Sequence, residues 1–248
     1  MESYNVGNRG FQARIRRTWG CTMPLAELHC HTQLFTFQRF SRRRLERFLE
    51  RGRTVGLRFL AITEHAELKT FWNIFAALET RNWQWREMCI LAGAEVAVRE
   101  GVHILLIGTP DALPALGEAL GRWPSNRDQP RLADLLAAAE KLEMLRIGAH
   151  PLRHGYDVRR VPEDLLRRLD ALEINALDLH RSAQVAELAE KLGLPLVGGS
   201  DAHLSRHVGR VVNRVPEWVQ EIHGLRAAIR DRQTAIVYRR AAAGTIAT

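Results

Sequence analysis

Short apolar runs alternate with amphipathic segments along most of the chain. Each run is long enough for a β-strand, and the segments between them place apolar residues at helical spacing. A regular order of strands and helices is typical of a parallel β/α architecture. The runs that predict strands lie at residues 26–31, 58–63, 88–98, 102–107, 145–149, 171–175 and 194–199.

Helix boundaries can be predicted from residues that satisfy the free backbone groups at helix ends. Ser41 and Ser182 are predicted caps at two helix starts, and Pro162 suits the first turn of a third helix. Gly193 predicts the end of the helix that Ser182 begins. Apolar spacing predicts further helices within residues 71–80, 132–142 and 219–229.

Histidines and carboxylates recur at the ends of the predicted strands. His29 and His31 are two positions apart and therefore share one face of a strand. Glu95 lies within an apolar strand, where a carboxylate is costly unless it is paired or bound to a metal. The complete set is His29, His31, His65, Glu95, His103, His150, Asp201 and His203.

This set predicts a polynuclear metal site in a barrel. Strand ends converge at one mouth of a β/α barrel, whereas an open sheet binds ligands mainly at its switch point. Mixed imidazole and carboxylate ligands suit Zn, Mn or Fe better than Ca or Mg. We therefore expect more than one divalent transition-metal ion.

Composition and charge narrow the class of protein. The 248 residues suffice for one large α/β domain, and no apolar run reaches membrane-spanning length. Three cysteines without CxxC spacing argue against a disulfide framework, so we expect a cytoplasmic protein. The domain prediction is an N-terminal leader at 1–23, a barrel at 24–239 and a tail at 240–248.

The net charge of +8 favours phosphate-bearing or other anionic partners. Nearly all of the basic charge is arginine, which suits phosphate oxygens but also follows from a general composition bias. Four arginines between Arg42 and Arg47 form the polar face of a predicted helix. We interpret that face as a solvated helix surface in preference to a phosphate-binding surface. We interpret the N-terminal leader as flexible in preference to an arm that binds nucleic acid.

Six short sequence motifs resemble those of the PHP family, the polymerase and histidinol phosphatase domain. The resemblance covers about residues 25 to 210 and implies a distorted (β/α)7 TIM-like barrel with a two- or three-metal phosphoesterase centre. In chain order the motifs are Glu-Leu-His-Cys-His-Thr, Ile-Thr-Glu-His, Gly-Ala-Glu-Val, Val-His-Ile-Leu, Gly-Ala-His-Pro and Gly-Ser-Asp-Ala-His.

The resemblance assigns the eight residues to three ions. It implies a first ion held by His29, His31, Glu95 and Asp201. Glu95 would bridge to a second ion. That ion would be held by His103 and His150, and a third site would include His65 and His203.

Two departures from the family pattern concern this centre. Thr36 stands where the family often has Asp or His, so the third site lacks a usual ligand. It would be weak, empty, or completed by water or another residue. Glu64 replaces the usual aspartate before His65, and its role is left open.

The predicted reaction is hydrolysis of a phosphate ester by attack of a metal-bridging hydroxide. If the third metal is absent, His203 or His65 would protonate the leaving oxygen, because an unliganded imidazole can titrate near neutrality. Arg153 is the first choice for a phosphate clamp because a guanidinium can hold two oxygens. His154 and Arg206 are weaker candidates for that clamp. Glu173 and Asn175 are expected to orient ligands in preference to binding metal.

The natural substrate and the oligomeric state are left open. A nucleotide, an oligonucleotide end or a small phosphomonoester such as histidinol phosphate would fit, and no membrane association is expected. Two alternatives are a PHP domain that binds metal or a partner without hydrolysis, and a metal hydrolase that cleaves a C–N or C–O bond.

Overall fold

The computed structural model describes residues 23–34 and 38–239. Thr36, the predicted tail and all but the last residue of the predicted leader lie outside this part of the chain. The strands are β1 (Leu25–Glu27), β2 (Leu57–Ile62), β3 (Gln84–Trp85), β4 (Met88–Ala97), β5 (His103–Gly108), β6 (Leu145–Gly148), β7 (Ala171–Asn175), β8 (Leu196–Gly199), β9 (Val211–Arg214) and β10 (Ala235–Tyr238). The helices are α1 (Arg42–Thr54), α2 (Phe71–Glu79), α3 (Ala112–Ala119), α4 (Leu132–Lys141), α5 (Glu163–Leu166), α6 (Ser182–Leu192) and α7 (Ile222–Arg230).

The strands form one sheet in the order β10-β9-β1-β2-β4-β5-β6-β7-β8, with β3 paired to β4. Helices cover its outer face, and the sheet curls into a nearly closed barrel, as the sequence predicted. Each of the seven predicted strands is present. Strands β9 and β10 were not predicted, because they are short and pair antiparallel at the edge of the sheet, away from the helix-strand alternation.

The predicted parallel architecture is wrong for β5, which runs antiparallel to both β4 and β6. Only a short turn connects β4 to β5, so Ala97 at the end of β4 pairs with His103 at the start of β5. A strand that turns back begins where its neighbour ends. His103 therefore reaches the same mouth as the side chains at the ends of the parallel strands.

Helix boundaries agree with the sequence at some ends and differ at others. Ser41 caps α1 by accepting a hydrogen bond from Arg44 N, and Gly193 ends α6 with φ of 74°. Ser182 is itself the first residue of α6, and its hydroxyl donates to Leu179 O, so the predicted cap is wrong. Pro162 lies just before α5, and that helix stops at Leu166.

The interior of the barrel is apolar at one end and polar at the other. Side chains alternate along a strand, so Leu91 and Glu95 of β4 share the inward face, as do Ala171 and Glu173 of β7. The apolar members pack in one buried cluster with α7. This cluster fills the end of the barrel opposite the histidines, and it leaves the polar residues at the mouth.

Asn213 on β9 helps to close the barrel where no backbone ladder joins β8 to β9. Its side chain is fully buried. The amide oxygen accepts from Gly198 N at 2.8 Å, and the amide nitrogen donates to Gly198 O at 2.8 Å and to Ala26 O at 3.3 Å. One side chain thus links β8 to β9 without a backbone ladder and adds a hydrogen bond to β1, which already pairs with β9.

The described residues contain no helix that is both long and apolar enough to cross a membrane.

We predict that Asn213→Ala lowers the free energy of unfolding by about 2–4 kcal/mol, because it leaves the buried amide and carbonyl of Gly198 without partners. Urea denaturation followed by circular dichroism measures this loss. The matched control is Arg214→Ala at the exposed next position, which should change stability by less than about 0.5 kcal/mol. Equal stability of the Asn213 variant and the wild type would contradict this account of closure.

Candidate metal centre

Glu95 is the central carboxylate of the site. It is 1% exposed, and its Oε1 lies 2.6 Å from His103 Nδ1 and 2.9 Å from His150 Nε2. Burial alone would raise the pKa of Glu95, but the surrounding histidines, His65 and His29 foremost, outweigh burial and hold it well below its ordinary value. The carboxylate is therefore kept ionised inside the barrel.

The other oxygen of Glu95 faces a second group of side chains. Glu95 Oε2 lies 3.2 Å from His31 Nε2, 3.3 Å from His29 Nε2 and 3.5 Å from His65 Nδ1. Asp201 Oδ1 lies 3.4 Å from His31 Nε2 and 3.6 Å from His29 Nε2. The two oxygens of one carboxylate thus point at two separate sets of imidazoles.

His29 and His31 bring their Nε2 atoms to within 2.9 Å of each other. Two imidazole lone pairs repel at that distance unless a proton or another cation lies between them. Burial lowers the pKa of His29, but the carboxylates of Glu173, Asp201 and Glu95 outweigh burial and raise it well above its ordinary value. The surrounding carboxylates therefore favour a positive charge at this pair, either a proton or a metal ion.

Glu173 on β7 holds two candidate ligands from different strands. Its Oε1 accepts from His29 Nδ1 at 2.7 Å, and its Oε2 accepts from the backbone N of His150 at 2.7 Å. An ionised carboxylate only accepts, so His29 donates from Nδ1 and its Nε2 faces the site. A Cβ at Gly199 would collide with this carboxylate and lie 2.8 Å from His29 Cβ, which explains the glycine.

Asp201 and His150 both adopt left-handed backbone conformations, with φ of 48° and 30°. Such conformations cost non-glycine residues free energy and persist where surrounding contacts impose them. For Asp201 these contacts include the pairing of the next residue, Ala202, with Cys30 and the hydrogen bond from His31 N to Ala202 O at 3.0 Å. The strained turn aims the Asp201 carboxylate at the two histidines.

Arg153 is already bonded to acceptors near the site. Its Nε donates to Asp178 Oδ2 at 2.7 Å, and its Nη2 lies 3.1 Å from Asn175 Oδ1 and 2.9 Å from Asp201 Oδ2. These contacts position Asp201. The predicted role of Arg153 as a phosphate clamp stays a prediction, and only Nη1 takes no part in these bonds.

Glu64 has one bonded and one unpartnered oxygen. Its Oε1 accepts from the backbone N and the hydroxyl of Thr32, while its buried Oε2 lies 3.8 Å from His31 Nδ1. Neither Oε2 nor that ring nitrogen has a hydrogen-bond partner among the described residues. Glu64 therefore faces the outer nitrogen of His31, as Glu173 faces that of His29.

The cluster fits divalent metal ions by its donor set. Three groups of side chains can each offer three ligand atoms within 4.8 Å of one another, and buried ring nitrogens of His31, His65 and His150 lack hydrogen-bond partners in the described part of the chain. Nitrogen and carboxylate donors together suit Zn, Mn or Fe. The groups are His29-His31-Asp201, His65-Glu95-His103 and His31-His65-His203.

The structure brings together all eight residues that the sequence selected. The candidates His154 and Arg206 are exposed and are not part of the groups above. Two residues near the cluster were missed. The ring of Tyr156 lies 4.3 Å from that of His103, and Glu67 Oε1 lies 3.6 Å from His65 Nδ1.

A signal for Glu67 was present in the sequence. It follows His65 at the same two-residue spacing that places His29 and His31 together. Burial raises the pKa of Glu67.

Comparisons with known proteins identify the fold. A family model for the PHP-associated region matches residues 181–234, which include Asp201 and His203. The crystal structure of PsfC from Pseudomonas syringae superposes with a TM-score of 0.74 at 24% identity, covering 88% of this chain and 93% of PsfC.

Two further solved structures share the same barrel. One is a two-domain Bacteroides vulgatus protein containing a predicted PHP-like metal-dependent phosphoesterase, at TM-score 0.61 and 16% identity, covering 88% of this chain and 65% of that chain. The chain has the PHP fold. The resemblance noted in the sequence is thereby confirmed.

The second PHP-fold structure is the lesion-specific endonuclease EndoQ from Pyrococcus furiosus. It matches at TM-score 0.66 and 18% identity, covering 86% of this chain and 57% of that chain. Endonuclease Q has also been solved with a DNA duplex whose abasic lesion lies at the active site. A comparison with curated protein sequences gives no significant match. At these identities the PHP fold is established, and function must be argued from the site.

We predict that Glu173→Gln weakens the affinity of the PHP-fold site for Zn²⁺ by about 10- to 100-fold. An amide cannot accept from both His29 and His150 without turning its NH₂ toward one donor. A competitive titration with a chromogenic chelator measures the change. Glu190→Gln on the exposed face of α6 is the control, and unchanged affinity in both variants would contradict the positioning role.

Proposed function

We propose that this chain is a metal-dependent phosphoesterase. The observation that carries the proposal is the placement of Glu95, whose two oxygens face two different sets of imidazoles. A carboxylate so placed suits two adjacent cations, and paired cations are a recurrent device for phosphate-ester hydrolysis. The PHP fold supports the same activity.

The proposed ligand assignment follows these contacts. The first site consists of His29, His31, Glu95 and Asp201, and the second of Glu95, His103 and His150. His65 and His203 border a third site. Bound divalent ions supply Lewis acidity, which lowers the pKa of water and neutralises charge on phosphate oxygens.

The protein groups around these sites have separate roles in the proposal. Glu173 orients His29 and His150, and Arg153 holds Asp201 while its Nη1 faces the substrate phosphate. His203 is 29% exposed, more than any other histidine of the cluster. When the third site is empty, this exposure supports the role of proton donor to the leaving oxygen for His203, with His65 as the other candidate.

We predict that Asp201→Asn lowers phosphate-ester turnover roughly 100-fold or more, because a lost ligand charge removes several kcal/mol of transition-state stabilisation. Asparagine keeps the shape and tolerates the left-handed backbone. Release of p-nitrophenol from mono- and diesters by Mn²⁺- or Zn²⁺-loaded protein is measured, with exposed Asp164→Asn as control.

The same experiment tests the alternatives. Chelator treatment should abolish turnover, and metal addition should restore it. Loaded wild-type protein that is inactive on every phosphate ester but cleaves an amide or lactone would favour a C–N or C–O hydrolase. Inactivity on all substrates, together with metal binding, would favour a non-hydrolytic domain.

We further propose nucleotides or nucleic-acid ends as the substrate class. The first turn of α1 contains three arginines and no acidic residue, which is an unfavourable arrangement at the positive end of a helix. Arg42, Arg43 and Arg47 are exposed, and no carboxylate lies within 4.0 Å of them in the described residues. This helix packs beside the turn 205–207 that follows His203. An anionic chain leaving the site would therefore meet uncompensated cations.

We predict that replacing Arg42, Arg43 and Arg47 together by Ala raises KM for a single-stranded oligonucleotide and weakens its salt dependence, since fewer phosphates are neutralised. Turnover of bis-p-nitrophenyl phosphate should stay unchanged. The charge-matched control replaces the exposed Arg214, Arg230 and Arg232. An unaltered oligonucleotide KM would count against this surface.

A further inference from the structure

Glu67 is a largely buried carboxylate beside the ligand cluster. Its side chain is 13% exposed. Within residues 23–34 and 38–239, no arginine or lysine approaches it within 4.0 Å. An ionised carboxylate that leaves water without a counter-charge is costly. Among the described residues, His65 is the one basic side chain within 4.0 Å of Glu67.

The backbone on both sides of Glu67 is fixed by hydrogen bonds. Ala66 N donates to Glu95 O at 2.9 Å, and Trp123 Nε1 donates to Ala66 O at 2.7 Å. Leu68 N donates to His65 O at 3.1 Å, which closes the turn. The direction of the Glu67 side chain is thus set by the same contacts that position His65.

The ring of His65 presents a nitrogen without a hydrogen-bond partner to Glu67. His65 Nδ1 is buried and has no hydrogen bond among the described residues, and it lies 3.6 Å from Glu67 Oε1 and 3.5 Å from Glu95 Oε2. Both distances are too long for good hydrogen bonds. Two donors that each bind one zinc-like ion at about 2.1 Å can be at most about 4.2 Å apart. The spacing suits a shared cation.

We infer that Glu67 is a ligand to a divalent transition-metal ion that His65 also binds. The inference rests on the proposed metal centre and adds a residue that none of the six family motifs contains. The ion would lie beside the group His65-Glu95-His103. Glu67 would then add a carboxylate oxygen to the donors that this ion receives from the ring of His65.

The test compares metal binding by the Glu67→Gln variant and by the wild type, both as the 248-residue chain. Metal-free protein is titrated with Mn²⁺ by calorimetry, and the ions retained per chain are counted by elemental analysis. We expect the weakest site to lose roughly tenfold or more in affinity, with the tighter sites unchanged. Glu79→Gln, at an exposed position on α2, is the control and should match the wild type.

Stability separates a ligand from a merely structural residue. Metal-free Glu67→Gln should unfold at or above the wild-type Tm, because the variant loses no ion pair with arginine or lysine among the described residues. It should also gain less in Tm than the wild type when Mn²⁺ is added. A lower Tm without metal, combined with unchanged Mn²⁺ affinity, would overturn the inference.

The remaining outcomes are also decisive. Wild-type protein that binds no Mn²⁺ would overturn the proposed metal centre along with this inference, whereas equal binding by wild type and variant would overturn only the role of Glu67. If the variant does not fold, anomalous diffraction from wild-type crystals soaked in Zn²⁺ decides. The inference requires an anomalous peak for Zn²⁺ within about 2.5 Å of a Glu67 carboxylate oxygen, and the absence of that peak would overturn it.

Discussion

Burial of the Glu95 carboxylate is the interaction on which the rest of the site depends. A carboxylate at the centre of a barrel loses its hydration, and a single neutral neighbour cannot replace it. Here histidines from several strands surround it. Each of these imidazoles in turn needs its outer nitrogen satisfied or directed, and Glu173 does this for His29. The polar mouth is therefore a connected network that is stable only if many strands place their side chains together.

The barrel provides that placement through two features of its sheet. The inward faces divide into an apolar half, which packs with α7, and a polar half at the mouth. The turn between β4 and β5 reverses the chain, so that His103 reaches the carboxylate on the neighbouring strand. At the opposite seam, Asn213 joins strands that no ladder connects. The strained turn at Asp201 and the missing side chain at Gly199 show how closely this packing is adapted to the buried carboxylates.

Carboxylates around the histidines also depart from the PHP motif pattern that this sequence resembles. Glu64 bonds Thr32 with one oxygen and faces the outer nitrogen of His31 with the other. This side chain, longer than the usual aspartate, thus contacts two adjacent residues of the segment that follows β1. Glu67 extends the same principle on the other side of the cluster, next to His65. Arg153 counterbalances this negative charge by contacting both Asp178 and Asp201.

The seven strands of the apolar runs, most of the helices and the eight side chains of the cluster could be predicted from the sequence. They depend on local signals: two-residue alternation, helical spacing and polar residues at the ends of apolar runs. The need of Glu95 for a partner followed from its apolar neighbours. The direction of β5, the closure by Asn213 and the contacts of Arg153 with Asp178 and Asp201 could not be predicted. These features join residues far apart in the chain, and their free energy arises only when distant strands enclose the same small volume and exclude water from it.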